Sequence, residues 1–290
     1  IESKCYRPAN RLMLDMINKH DGKFKIAYSL SGVYMEQLEK YAPRILDSFQ
    51  ELSKTGCVEF LSETYHHSLS SLYSKEEFGE QIDLHRKKIK ELFGARPKVF
   101  RNTELIYNNE IAKSIEDKGY DAILAEGWDP ILSWRSPNFV YTPKDCSKMK
   151  LLLKNYRLSD DIAFRFSNQG WKEWPLTIEK YTSWLNNVNG NGDNVNLFMD
   201  YETIGEHQWS NTGIFKFLKE LPANVLKNPD NNFMTPSQVA KTHISVGELD
   251  VPHSISWADT ERDLSAWVGN KMQDSALMHL YSLEKQIKGS

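Results

Sequence analysis

The feature that most constrains this chain is a change of hydrophobic period that recurs along its length. The stretch "PANRLMLDMINKHDG" carries apolar residues at helical spacing and stops at Asp21-Gly22, and "FKIAYSLSG" then reads as a strand. The same plan repeats. A helix broken near Pro43 and closed by Gly56 leads to "VEFLSETY"; one with Phe78, Ile82, His85, Ile89 and Leu92 on a single face, capped by Gly94, leads to "KVFRNTE". Further units end in "AILAEG", in "LLLKNYRLS" after a long irregular stretch, and in "VNLFMDYE". Strands are therefore expected near 24–31, 58–65, 98–104, 122–127, 151–158 and 195–202. Each parallel strand needs a crossover helix, so the series predicts a parallel α/β sheet, and 290 residues suffice to bury a large core.

In such folds ligands meet the carboxyl ends of the strands. Those ends hold Glu63, His66 and His67 in "SETYHHS", Glu104 in "RNTEL", Glu126, Trp128 and Asp129 in "AEGWD", Asp160 and Asp161 in "YRLSDD", and Asp200, Glu202, Glu206, His207 and Trp209 in "MDYETIGEHQW". Carboxylates, imidazoles and indoles on one face suit carbohydrate chemistry, where acids work the glycosidic bond and aromatic faces hold sugar rings. Other partners find no support. Lys plus Arg at 36 against Asp plus Glu at 39, with no block of like charge, points to neither nucleic acid nor a membrane surface. No apolar run reaches the length of a membrane span. Cys5, Cys57 and Cys146 are far apart and lack zinc-binding or disulfide spacing, so a reducing, cytoplasmic compartment is expected.

Together "FRNTELIYNN", "GCVEFLSETYHHSL", "NLFMDYETIGEHQW" and "SWADTERDLSAWVGN" resemble the α-amylase branch of glycoside hydrolase family 57 over essentially the whole chain. The resemblance implies an incomplete (β/α)7 barrel over 1–235, followed by a helical segment over 236–290 packed against it. It implies cleavage or transfer of α-glucan chains with retention of configuration, Glu104 as nucleophile and Asp200 as general acid/base, and it places Asp259 beside the cleft. The family's opening His-Gln-Pro motif is absent, so the chain is expected to be truncated and to lack the first barrel strand. It is expected to be truncated after "EKQIKGS" as well.

The chemistry can be argued from the residues as well. A retaining glycosidase needs one ionised carboxylate and one protonated carboxyl about 5 to 5.5 Å apart. Two acids that close repel each other's ionisation, so one is held protonated as the proton donor. His66, His67 and Arg157 are expected to donate to sugar hydroxyls and to keep Glu104 ionised, while Trp128, Trp209 and Trp134 are candidate stacking platforms. Asp160 and His207 complete the candidate substrate contacts. Bland alternatives stand beside these: Asp160 and Asp161 can order a loop, "SWADTERDLSAW" can be a capped helix, and His85, on an apolar stripe, is read as a structural imidazole. No metal or other cofactor is expected. Competing readings are a metal-dependent polysaccharide deacetylase, disfavoured because no His pair has i,i+3 or i,i+4 spacing, and a non-catalytic glucan-binding relative.

Overall fold

Several helices begin where a short polar side chain caps them. Ser31 accepts the Tyr34 amide, Ser74 the Glu77 amide and Asn155 the Leu158 amide, each satisfying an amide that the first helical turn leaves free. Residues 1–289, described by a computed structural model, form an α/β fold. Its first half runs α1 (Tyr6–Lys19), β1 (Ile26–Tyr28), α2 (Gly32–Tyr41), α3 (Pro43–Ser53), β2 (Val58–Phe60), α4 (Ser70–Tyr73), α5 (Lys75–Phe93), β3 (Val99–Arg101), α6 (Asn109–Asp117) and β4 (Ala122–Glu126). There follow α7 (Asp129–Leu132), β5 (Val140–Pro143), β6 (Lys150–Lys154), α8 (Tyr156–Ala163), α9 (Ile178–Asn186), α10 (Ile214–Val225), α11 (Pro236–Thr242), β7 (Glu248–Leu249), α12 (Lys271–Ser282) and α13 (Glu284–Lys288). Pro43 opens α3 and divides it from α2, and Gly94 closes α5 at φ 66°, as the pattern predicts.

The expected strands pair in parallel and in chain order. β1 lies beside β2, a bridge from Ser62 to Phe100 continues to β3, and β3 pairs with β4 and β4 with β6. Three expectations need correction. The strand expected over 195–202 is reduced to a parallel bridge between Lys154 and Asn196, because the Phe198 amide donates to the Ser159 hydroxyl (3.1 Å) instead of to a neighbouring strand. The strand expected over 151–158 stops at Lys154, where Asn155 caps α8. Within the stretch read as irregular, β5 runs antiparallel to β6 and parallel to β7. Thus 236–289 is not purely helical: it gives β7 to the sheet before α12 and α13. Ser290 lies outside the described residues.

Strand period sorts the core into two faces. Phe100, Ile123, Ala125, Leu151 and Leu153 pack with Phe78, Ile82, Ile111 and Ile115 of α5 and α6. Their alternates Val99, Ala122, Leu124 and Leu152 pack with Leu61, Val239 and Ala240. Each fully buried aliphatic side chain contributes about 1.5 to 3 kcal/mol. Continuing the second series by one step puts Arg101, Glu126 and Lys154 at the strand ends on that same face, and all three are buried. Charge at the last position of an otherwise apolar face is what builds the site. No helix of the described residues is long and apolar enough to cross a membrane.

Candidate active site

Glu104 follows β3 in a single tight turn, Thr103–Leu105, with φ 52° and ψ 28°, and Leu105 has φ 52°. Two successive non-glycine residues in the left-handed region cost about 1 to 2 kcal/mol each and persist only where their surroundings fix them. Here the braces are explicit. Asn102 donates through Nδ2 to the Ile106 carbonyl (2.9 Å) and the Ser71 hydroxyl (3.0 Å), and Thr103 shares a hydrogen bond with Thr64 (2.7 Å).

The Glu104 carboxylate has a partner on each oxygen. His67 Nε2 lies 2.8 Å from Oε1, and Trp257 Nε1 donates to Oε2 at 2.7 Å. His67 Nδ1 meets Glu63 Oε2 at 3.3 Å, and Arg101 Nη1 donates to that same oxygen at 3.3 Å. Ionised carboxylates only accept, so both ring nitrogens of His67 donate and the ring is an imidazolium. Its pKa is accordingly raised to about 9, by the bonds to Glu104 first and Glu63 second. Glu104 moves the other way, to about 2, held down first by the His67 hydrogen bond against the cost of burial, with Trp257 and Arg101 adding to it. Burial works to raise buried Glu63, but His67 and Arg101 outweigh it and the carboxyl stays low. The result is an alternating row of charge: Glu104, His67, Glu63, Arg101.

Asp200 is perturbed in the opposite sense. Withdrawal from water pushes its carboxyl up; Arg101 opposes this, while the charges of Glu202 and Glu104 add to it. Asp200 and Glu104 thus feel each other's charge and share the field of one guanidinium, yet one is held ionised and the other is biased toward its proton.

A second charged cluster adjoins the first. Lys154 contacts Glu126 (3.3 Å) and Asp160 (3.4 Å), and Arg262 reaches the same acids at 3.4 and 3.5 Å. Lys154 and Arg101 also lie over the Trp257 ring, at 5.1 and 5.3 Å from its centroid.

The other sequence candidates scatter. His66 is exposed with its ring against Tyr65, and its amide donates to the Gln81 side chain of α5 (3.2 Å). Arg157 is exposed on α8 and paired with Asp129 at 2.7 Å, so the guanidinium acting on Glu104 is Arg101 and not Arg157. Asp160 is a buried scaffold acid. Trp128 is half-buried against the outer core, whereas Trp134 and Trp209 are exposed, Trp209 beneath the Lys4 ammonium. His207 is exposed. Asp259 is exposed in a turn-rich segment with φ 50°, its carbonyl accepting from Arg262; the helix offered as the alternative for this stretch does not form, and α12 begins only at Lys271. His85 is the structural imidazole expected: it donates to the Leu30 carbonyl (2.7 Å) and accepts the Glu63 amide (3.4 Å).

Sequence reasoning missed Arg101, Lys154, Trp257 and Arg262. For the first two a signal existed, since a cation in step with the buried alternates of its strand must be satisfied inside. Among the described residues no three His, Cys, Asp or Glu side chains converge as metal ligands.

Residues 1–252 match the family model described as glycosyl hydrolase family 57. A protein of Methanocaldococcus jannaschii named "Putative alpha-amylase" is 50% identical over 291 residues, covering 99% of this chain and 61% of that protein. The chain therefore spans about three fifths of that relative's length. Among solved structures, a 4-α-glucanotransferase of Thermococcus litoralis aligns with a TM-score of 0.74 at 20% identity, covering 98% of this chain and 42% of that one. A branching enzyme of Thermococcus kodakaraensis aligns with a TM-score of 0.74 at 15% identity, covering 98% and 73%. At such identities these likenesses show a shared fold.

Proposed function

The chain belongs to glycosyl hydrolase family 57, and from that premise we propose that it acts on α-glucans by a retaining, two-carboxylate mechanism. Glu104 is the nucleophile and Asp200 the general acid/base. The observation that carries this reading is the opposed perturbation of two acids that share one guanidinium: Glu104 is held down to about 2 and Asp200 is pushed up. That is the division of labour double displacement requires. Glu104 attacks the anomeric carbon as the leaving oxygen takes the Asp200 proton. Asp200, now ionised, deprotonates the water that releases the glycosyl ester.

Arg101, fixed between Glu63 and the Trp257 and Phe198 rings, keeps both acids within one positive field. His66, Trp128, Trp209, His207 and Asp259 are the side chains we assign to flanking sugar units, Trp209 and Trp128 through their ring faces. The parallel order of β1, β2, β3, β4 and β6 supports placing the chain in an incomplete (β/α)7 barrel over 1–235, with 236–290 as a segment packed on it. The free thiols Cys5, Cys57 and Cys146 support a reducing, cytoplasmic setting.

The relatives named as glucanotransferase and branching enzyme favour a second reading within the same chemistry, in which a sugar hydroxyl replaces water on the glycosyl ester. Incubation with maltoheptaose followed by product sizing separates the two: only shorter products mean hydrolysis, and longer ones mean transfer. No new product at any enzyme concentration, with maltoheptaose bound, would instead mark a glucan-binding protein.

A further inference from the structure

Resting on the reading of Glu104 as nucleophile, we propose that Trp257 is a positioning residue whose indole N–H holds the Glu104 carboxylate in the orientation needed for attack. Trp257 lies beyond the residues matched by the family model, which end at 252, and 153 positions from Glu104 in sequence.

One dipeptide makes three contacts to one residue. Trp257 Nε1 donates to Glu104 Oε2 at 2.7 Å, the Trp257 amide donates to the Glu104 carbonyl at 3.2 Å, and the Ser256 hydroxyl donates to that carbonyl at 2.9 Å. Main chain and side chain of Glu104 are thus held from the same side. This matches the backbone problem, because left-handed φ at Glu104 and Leu105 needs an outside constraint.

Trp257 is itself fixed. Its ring packs on Phe198 at 5.2 Å between centroids and joins the inner apolar cluster. Arg262 anchors the segment from the other end: its amide carbonyl accepts the Ser256 amide (3.0 Å), its Nη1 donates to the Trp257 carbonyl (3.4 Å), and its guanidinium sits on Glu126 and Asp160. The cations Arg101 and Lys154 over the indole draw electron density from it, which strengthens the N–H as a donor.

The two oxygens of Glu104 therefore have partners of different kinds. His67, the donor on Oε1, can lose its proton. An indole N–H does not titrate, so Trp257 still holds Oε2 after His67 has lost its proton. A sugar platform would behave otherwise, since losing a stacking face weakens binding, whereas losing an aiming donor slows the chemical step.

The test compares W257F, which keeps an aromatic ring and loses the donor, with E104Q. In proton-nitrogen NMR spectra the Trp257 indole signal should move upfield in E104Q. In W257F a carbon-13 titration should find the Glu104 carboxyl midpoint raised by about one pH unit. With maltoheptaose, W257F should lower kcat by about 10- to 100-fold while KM stays within about twofold, and the acid limb of kcat/KM should move up with the carboxyl. A folding defect would lower the amplitude at every pH without moving that limb. An indole signal unmoved by E104Q together with an unmoved Glu104 midpoint in W257F overturns the proposal, as does a kcat within twofold of wild type beside an inactive E104Q. An active E104Q instead overturns the assignment of Glu104 as nucleophile, and the NMR comparison still decides whether the indole holds the carboxylate.

Discussion

At the scale of single residues the site is an arrangement of proton affinities. On the proposed reading Glu104→Gln removes the nucleophile while keeping its shape, and turnover of every glucan should fall by several orders of magnitude. Asp200→Asn should instead spare aryl glycosides whose leaving group needs no proton, while starch turnover collapses. Equal losses on both substrates, or inverted product configuration by NMR, would sink the assignment of roles. The pair His67 and Glu104 also sets a pH window for stability. The folded pKa of His67 lies at about 9 against an ordinary value of 6.5, so its contribution is complete below about 6.5 and is lost as pH rises through 9. Glu104 lies at about 2 against 4.5, so its contribution is complete above about 4.5 and is lost as pH falls through 2. The Tm difference between wild type and His67→Gln should therefore be largest between pH 4.5 and 6.5 and shrink on either side. A difference that stays flat from pH 4 to 9 would contradict the imidazolium.

At the scale of elements the site depends on how closely strand ends approach. Gly94 ends α5 at φ 66° with open space where a Cβ would go, so Gly94→Ala should cost only the backbone term, about 1 kcal/mol in denaturant titration. Gly127 follows Glu126 at the end of β4, and a Cβ there would lie 2.3 Å from the Lys154 carbonyl of β6. Gly127→Ala should cost more than Gly94→Ala, at least about 2 kcal/mol, and should lower activity as well, because it forces apart the strands that carry Glu126 and Lys154. Equal costs at the two glycines would mean that the β4–β6 approach is looser than described. The same scale explains a misplaced functional residue. Arg157 reads as a strand-end cation if "LLLKNYRLS" is one strand, but the Asn155 cap turns the chain into α8 and carries Arg157 out to Asp129. Arg101, which does act on Glu104, shares the buried period of Val99.

At the scale of the whole molecule a mainly parallel sheet, covered on both faces, presents its strand ends to a site, and this architecture serves many chemistries. The donor set here bears on the proposed choice among them. His67, which a metal-dependent deacetylase would need as a ligand, has both ring nitrogens engaged by carboxylates. Glucan turnover should therefore survive exhaustive chelation; a loss that zinc restores would favour the deacetylase. The helix–strand alternation through β4, the cap at Gly94 and the acid Glu104 just after β3 were legible in the sequence, because period, capping and turn chemistry act over a few residues. The strand expected over 195–202 was lost because Ser159, from α8, takes the Phe198 amide. Arg101 in place of Arg157, the turn-rich run from Trp257 to Arg262 in place of a helix, and the indole on Glu104 were decided only by the tertiary structure. A charge or an N–H acquires its partner through the fold, and the partner of Glu104 lies 153 positions away, beyond the reach of any local pattern.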